Sequence, residues 1–159
     1  LPEAQLDRFL FKHILDDPAR EEERAIVAQY GVHNAMPDLD ALGVTAQADA
    51  ARLEACRALV ATVEMNADMV AYVVDVVRAT REDPALEFGA SPRAASMLAM
   101  AARAHAALDG RAYAIPDDVK AIAVACLAHR VVLAPGAEIE GMSPARVIAD
   151  ILDQVAAPR

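Results

Sequence analysis

The feature that most constrains this chain is where its prolines stand. Ser91-Pro92 and Ser143-Pro144 each precede an apolar pattern of helical spacing, and Pro116 is followed by Asp117-Asp118 before another. A proline in the first helical position loses nothing by lacking an N–H, and a serine before it can accept a hydrogen bond from the first turn. These positions therefore predict helix starts near 91, 116 and 143. Gly110 ends the first of these helices, which runs over about 91–109, and the second runs to about Arg130. The chain has nine prolines but only six glycines, so the prolines act as punctuation. Apolar residues make up 56% of the chain and aromatics only 4%. Much of the apolar share is alanine, which favours closely packed helices.

Other helices follow from the same logic. Asp17-Pro18 with Glu21 to Glu23 predicts a capped start, and Gly31 is a plausible end. Thr45 is the candidate cap for a helix through Leu53, Cys56, Leu59, Val60 and Val63. Asn66 is the candidate cap for one reaching about Arg81. The Val-rich centre of that helix has strand propensity, but a stripe at Met69, Val70, Val73, Val76 and Val77 favours a helix. Residues 32–44, with Pro37 and Gly43, read as a loop, as does the stretch with Pro135, Gly136 and Gly141.

Residues 1–16 differ. Leu1 to Arg8 predicts a short helix, and Phe9 to Leu15 a short strand. A lone strand leaves an unpaired edge, so its partners are expected upstream. The chain begins at Leu1 and reads as a piece of something longer. The expected fold class is all-α, a helical bundle with a short N-terminal helix–strand remnant of another domain. The expected boundaries are 1–16 and 17–159.

The formal net charge is −9, which biases against nucleic acid because a duplex-binding surface needs a positive patch. A DNA-binding helical domain is accordingly disfavoured. Cys56 and Cys126 lie in separate helical patterns and read as buried free thiols in a reducing compartment. No apolar run reaches the ~18 residues of a membrane span. The expected setting is cytoplasmic and soluble, without membrane insertion.

Two arginines have the chemistry to act on an anion. Arg8 stands where the short helix gives way to the predicted strand. A planar guanidinium there suits charge spread over phosphoryl oxygens, and a local pair with Asp7 is the alternative. Arg93 stands in the first turn after Ser91-Pro92, where the helix dipole is already positive. An anion would explain the placement by using the free N–H groups and the guanidinium together. A solvated arginine on a capped helix is the alternative, and Ser143-Pro144-Ala145-Arg146 repeats that arrangement.

Several segments in order resemble the MoxR family of AAA+ ATPases. They are Leu1-Pro2-Glu3-Ala4-Gln5-Leu6-Asp7-Arg8-Phe9, Ala79-Thr80-Arg81, Gly89-Ala90-Ser91-Pro92-Arg93, Gly110-Arg111-Ala112-Tyr113, Pro116-Asp117-Asp118-Val119 and His129-Arg130. The resemblance spans nearly the whole chain. It implies the end of an ATPase core (1–16) followed by an α-helical AAA+ lid (17–159). It implies that Arg8 is a catalytic arginine finger acting in trans, and that Arg93 is the nucleotide-binding sensor-2 arginine, in cis or in trans. It implies ATP and Mg²⁺ as cofactors and a ring oligomer, a hexamer, as the assembly. It further implies chaperone-like maturation of a client protein, together with von Willebrand factor A domain partners. Two departures stand out. Ile115 occupies a place where relatives often carry a Thr or Ser cap, and Asp16-Asp17-Pro18 lacks an aromatic common before the proline.

No phosphate-binding loop with Lys-Ser/Thr and no acidic pair for Mg²⁺ occurs in the chain. This piece alone is therefore expected not to hydrolyse ATP. His13, His33, His105 and His129 share no metal-ligand spacing, so no metal site is expected. Asp117-Asp118 reads as a pair of first-turn acids favouring the helix dipole. Arg20 to Arg24 with three glutamates reads as a solvated face, and Met97, Leu98 and Met100 as core. The competing function is a stand-alone all-α protein-interaction module without nucleotide chemistry.

Overall fold

The computed structural model describes residues 3–31 and 41–158. Leu1 and Pro2, and the predicted loop's His33 and Pro37, lie outside the described residues. Two compact units are present: Ile14–Glu54, and the described residues on either side of it. In the smaller unit, α2 (Arg20–Tyr30) is capped differently from expectation. Ala19 is the N-cap residue, and the Glu22 carboxylate accepts its N–H at 2.9 Å. Asp17-Pro18 thus stands just ahead of the helix. Gly31 closes α2 through its N–H to Val27 with a right-handed φ of −67°.

The helix α3 covers Ala50–Thr62. Its cap is Asp49, whose carboxylate accepts the Arg52 N–H at 2.7 Å, and not Thr45. The apolar residues Leu53 and Leu59 on it are exposed, and so is Cys56. The expectation of burial therefore holds for Cys126 alone, although neither cysteine forms a disulfide.

The larger unit is a helical bundle. After the short α1 (Glu3–Leu6), its helices are α4 (Ala67–Glu82), α5 (Pro92–Leu108), α6 (Pro116–Leu127), the short α7 (Pro135–Ile139) and α8 (Pro144–Gln154). Asn66, Ser91 and Ser143 cap α4, α5 and α8 through their side chains, as their spacing predicts. Gly110 follows α5 with φ +73°, a left-handed conformation that suits glycine. α5 packs along α6, while α4 and α8 cover them. The core between them includes Val76, Leu98, Val119, Leu127, Ile148 and Ile151, all buried. Each such side chain adds roughly 1.5–3 kcal/mol by leaving water. The predicted stripe of α4 is buried except Val70, whose place is taken by Tyr72. Leu98 is core, whereas Met100 is half exposed.

The predicted strand at Phe9–Leu15 is absent. These residues run as irregular chain, with no ladder partner among the described residues. Lys12 instead donates its N–H to the Ala125 carbonyl at 3.0 Å. A small antiparallel pair forms elsewhere, between β1 (Leu86–Phe88) and β2 (Val132–Leu133). Leu86 faces Leu133, and Ala134 donates to the Ala85 carbonyl at 2.8 Å. The pair fastens the loop after α4 to the loop after α6. At three residues and two, these strands are too short for hydropathy alternation to reveal. No described helix is long and apolar enough to cross a membrane.

Candidate functional site

The site is built where the N-terminal segment meets the start of α5 and the end of α6. α1 ends in a turn closed by Arg8 N–H to Gln5 and Phe9 N–H to Leu6. This turn holds Arg8 exposed, and its guanidinium has no partner among the described residues. The local pair with Asp7 is not formed, because Asp7 is engaged elsewhere. Its carboxylate accepts from the Ser91 hydroxyl at 3.0 Å and lies 3.3 Å from Nε of Arg130.

Ser91 is the N-cap of α5 and accepts the Ala94 N–H at 3.3 Å. Arg93 follows in the first turn, exposed and without a partner among the described residues. Arg146 provides the comparison. It occupies the same place after Ser143-Pro144, but it pairs with Asp150 one turn on at 3.0 Å. One turn on from Arg93 the residue is Met97, which offers no carboxylate. The shared cap therefore carries a paired arginine in α8 and, among the described residues, an unpaired one in α5.

The approach to Arg93 is fixed by the end of α4. The Thr80 hydroxyl accepts the Ala90 N–H at 2.9 Å and donates to the Val77 carbonyl at 2.6 Å. The Arg81 Nε donates to the Ala90 carbonyl at 2.8 Å. Gly89 lies so close that a Cβ there would stand 2.5 Å from the Thr80 carbonyl oxygen. The Thr80-Arg81 and Gly89-Ala90-Ser91 segments are thus two halves of one clamp on the α5 start.

Arg130 performs the matching task for Arg8. Its side chain is fully buried. Nη1 donates to the Leu10 carbonyl at 3.3 Å and to the Cys126 carbonyl. Nη2 donates to the Asp7 carbonyl at 3.2 Å and to the Phe9 carbonyl. The Cys126 and Ala125 carbonyls belong to the last turn of α6, where backbone acceptors lack helical partners. Arg130 and the Lys12 N–H fill them, and the cation also suits the negative helix end. His129 Nε2 donates to the Phe9 carbonyl at 3.0 Å, which requires the neutral ring to carry its proton on Nε2. Burial lowers the His129 pKa below its ordinary value. The Phe9 carbonyl opposes this, and the charges of Arg130 and Lys12 reinforce it. Burial likewise pushes the Cys126 thiol up, against the opposing charge and hydrogen bond of Arg130, which favours the neutral thiol.

Asp118 differs from expectation. It is a buried ion-pair residue as well as a first-turn acid. Both its oxygens face Arg111, with Nη1 to Oδ2 at 2.7 Å. His105 Nδ1 lies 2.7 Å from Oδ1, and the Ile115 N–H donates to Oδ2 at 2.8 Å. The last bond replaces the cap that Ile115 cannot supply. Burial alone pushes the Asp118 carboxyl up. The hydrogen bonds from Arg111, Ile115 and His105, with the Arg111 charge, overcome this and hold it at about 2. His105, Asp109 and Asp118 bring ligand-type atoms within 4.8 Å of one another. The Arg111 guanidinium occupies both Asp118 oxygens, so the cluster fits an ion-pair lock between α5 and α6.

The sequence singled out Arg8 and Arg93 but gave Asp7, Thr80, Arg81 and Arg130 no separate part. The structure joins the two arginine-bearing segments through Asp7 and Ser91. The signal for the missing residues was present in the ordered segments, each of which proves to contribute one side of a contact.

Residues 78–151 of this helical unit match the AAA lid domain family. The chain is 39% identical over 168 residues to Chaperone MoxR1 of Mycobacterium tuberculosis, covering all of this chain and 43% of that protein. It is 35% identical over 158 residues to the uncharacterized protein YeaC of Bacillus subtilis, covering 99% of this chain and 48% of that protein. Protein MoxR of Paracoccus denitrificans is 30% identical over 155 residues, with coverages of 87% and 45%. A crystal structure from Cytophaga hutchinsonii, provisionally assigned as an ATPase, superposes with a TM-score of 0.82 at 30% identity, over all of this chain and 49% of that one. The chain thus carries an AAA lid domain and is similar along most of its length to MoxR-type AAA+ proteins. It spans about half the length of the curated relatives it matches.

Proposed function

We propose that this chain is the lid-bearing part of a MoxR-type AAA+ ATPase. In this reading Arg8 is an arginine finger that reaches ATP on a neighbouring subunit, and Arg93 is the sensor-2 arginine. The carrying observation is that two exposed arginines without local partners stand on segments joined by the Asp7–Ser91 hydrogen bond. Both suit triphosphate oxygens, since an unpaired guanidinium keeps its planar donors free. ATP supplies the phosphoryl group for hydrolysis. Mg²⁺ finds no suitable cradle among the described residues, because the single carboxylate–histidine cluster is committed to Arg111. In this reading the phosphate loop and the metal-holding acids would be supplied by the ATPase core rather than by the lid. The whole protein would form a ring, a hexamer, in the cytoplasm. It would couple hydrolysis to chaperone-like maturation of a client, with von Willebrand factor A domain proteins as partners.

The test is Arg8→Ala in the full-length protein. ATP affinity should stay near normal while turnover falls by roughly 10³ to 10⁵, the worth of an arginine finger. Unchanged turnover would remove Arg8 from the mechanism. Specific client capture by this chain without ATP would favour a stand-alone interaction module instead.

A further inference from the structure

We propose that Arg130 is a positioning residue that fastens the Arg8 segment to the lid, so that Arg8 and Arg93 move as one body. The proposal rests on the function proposed above. Arg130 has no exposed side-chain surface. Its donors go to the carbonyls of Asp7, Phe9 and Leu10, on both sides of Arg8 in the chain. The same side chain holds the last turn of α6 through the Cys126 carbonyl. Its Nε also faces the Asp7 carboxylate, which receives the Ser91 hydroxyl at the α5 cap. One guanidinium thus ties the residues around Arg8 to two lid helices, one of which carries Arg93 in its first turn. Lys12 and His129 add two further bonds from this segment to the α6 end. An arginine fork can satisfy several carbonyls at fixed angles, whereas a lysine offers one mobile point of charge.

The alternative is that Arg130 merely stabilises the lid. Four measurements on the full-length ATPase separate the two. Arg130→Met should lower kcat by about 10²-fold, the scale of a small misplacement of a catalytic group, with KM for ATP within about twofold. Arg130→Lys should recover only part of this loss. In rings mixed with subunits whose own nucleotide pocket is disabled, the Arg130→Met subunits should regain turnover, because intact neighbours supply a well-placed Arg8. Arg130→Met should also add little to Arg8→Ala, since both act through the same group. Multiplicative losses in the double variant, or no regain in mixed rings that assemble and bind ATP normally, would overturn the proposal.

Amide exchange provides the second arm. Arg130→Met should deprotect Phe9 and Lys12 while leaving Val76 and Ile148 protected. If Arg8→Ala turns over normally, the arginine-finger reading fails, and this exchange pattern still reports whether Arg130 fastens the segment. Global loss of protection in both Arg130 variants would mean that Arg130 serves the bundle as a whole and would also overturn the proposal.

Discussion

The Asp7 carboxylate accepts the Ser91 hydroxyl at 3.0 Å across 84 positions of sequence, while that same Ser91 oxygen accepts the Ala94 N–H that opens α5. Ser91 is therefore a helix cap and a tether at once. Ser143 caps α8 through the Arg146 N–H at 3.2 Å, with no second partner among the described residues. Ser143→Ala should cost about 1 kcal/mol, the ordinary value of a cap. Ser91→Ala should cost about 1–2 kcal/mol more, because a hydrogen bond to a charged group is also lost. Denaturant midpoints of the two variants check this, and equal losses would argue that the Asp7 tether contributes nothing.

Gly89 and Gly136 predict opposite signs for the same substitution. At Gly89 a new Cβ meets the Thr80 carbonyl oxygen and the Arg81 nitrogen at 2.5 and 2.6 Å, both main-chain atoms. Gly89→Ala should destabilise by about 1–3 kcal/mol, as overpacking does. Gly136 lies in α7 with nothing within 4 Å of its Cβ position. Gly136→Ala should be neutral or stabilise by up to about 1 kcal/mol. Thermal unfolding of both variants reads the difference.

Asp118 makes the bundle sensitive to acid. Its folded value of about 2 lies below the ordinary 3.8, so the unfolded chain binds the proton more readily. The contribution is complete above pH ~4 and is lost as pH falls toward 2. Asp118→Asn should remove that acid-dependent part. It should also cost about 3 kcal/mol, the lower end for breaking a buried pair, since Arg111 retains some contact with water. An unchanged acid-unfolding profile in the variant would exclude Asp118 as the source.

His129 acts in a different pH window. Its folded value lies below the ordinary 6.5, chiefly through burial, so the folded protein prefers the neutral ring. The unfolded chain then takes up the proton first. The stabilisation is present above pH ~6.5 and declines as pH falls below it. Protection of the Lys12 amide should weaken over that range. His129→Gln, which cannot titrate but can still donate, should flatten the dependence. A dependence that survives His129→Gln would point to another group.

Helix starts were legible because they are local. Ser91, Ser143 and Asn66 announce themselves by the residues that follow, and the structure uses all three as caps. The Phe9–Leu15 segment misled because its apolar run satisfies strand propensity, yet a strand needs a ladder partner. Here its backbone groups are met instead by Lys12 to Ala125, Arg130 and His129. Asp118 was legible only in part. Its place in a first turn is visible in sequence, but its burial against Arg111 and His105 depends on how α5 returns to α6. Arg8 and Arg93 stood out through their positions, whereas the link between them runs through Asp7 and Ser91, whose separation in sequence hides it.

Arg130 grips oxygen atoms of the main chain at Asp7, Phe9, Leu10 and Cys126. Such a grip is blind to side-chain identity and sensitive only to the path of the chain. Substitutions at Phe9 and Leu10 should therefore be tolerated, even drastic ones in size or polarity. A single-residue insertion or deletion between Asp7 and Lys12 would shift every acceptor out of register together. In this segment, length is under tighter physical control than composition.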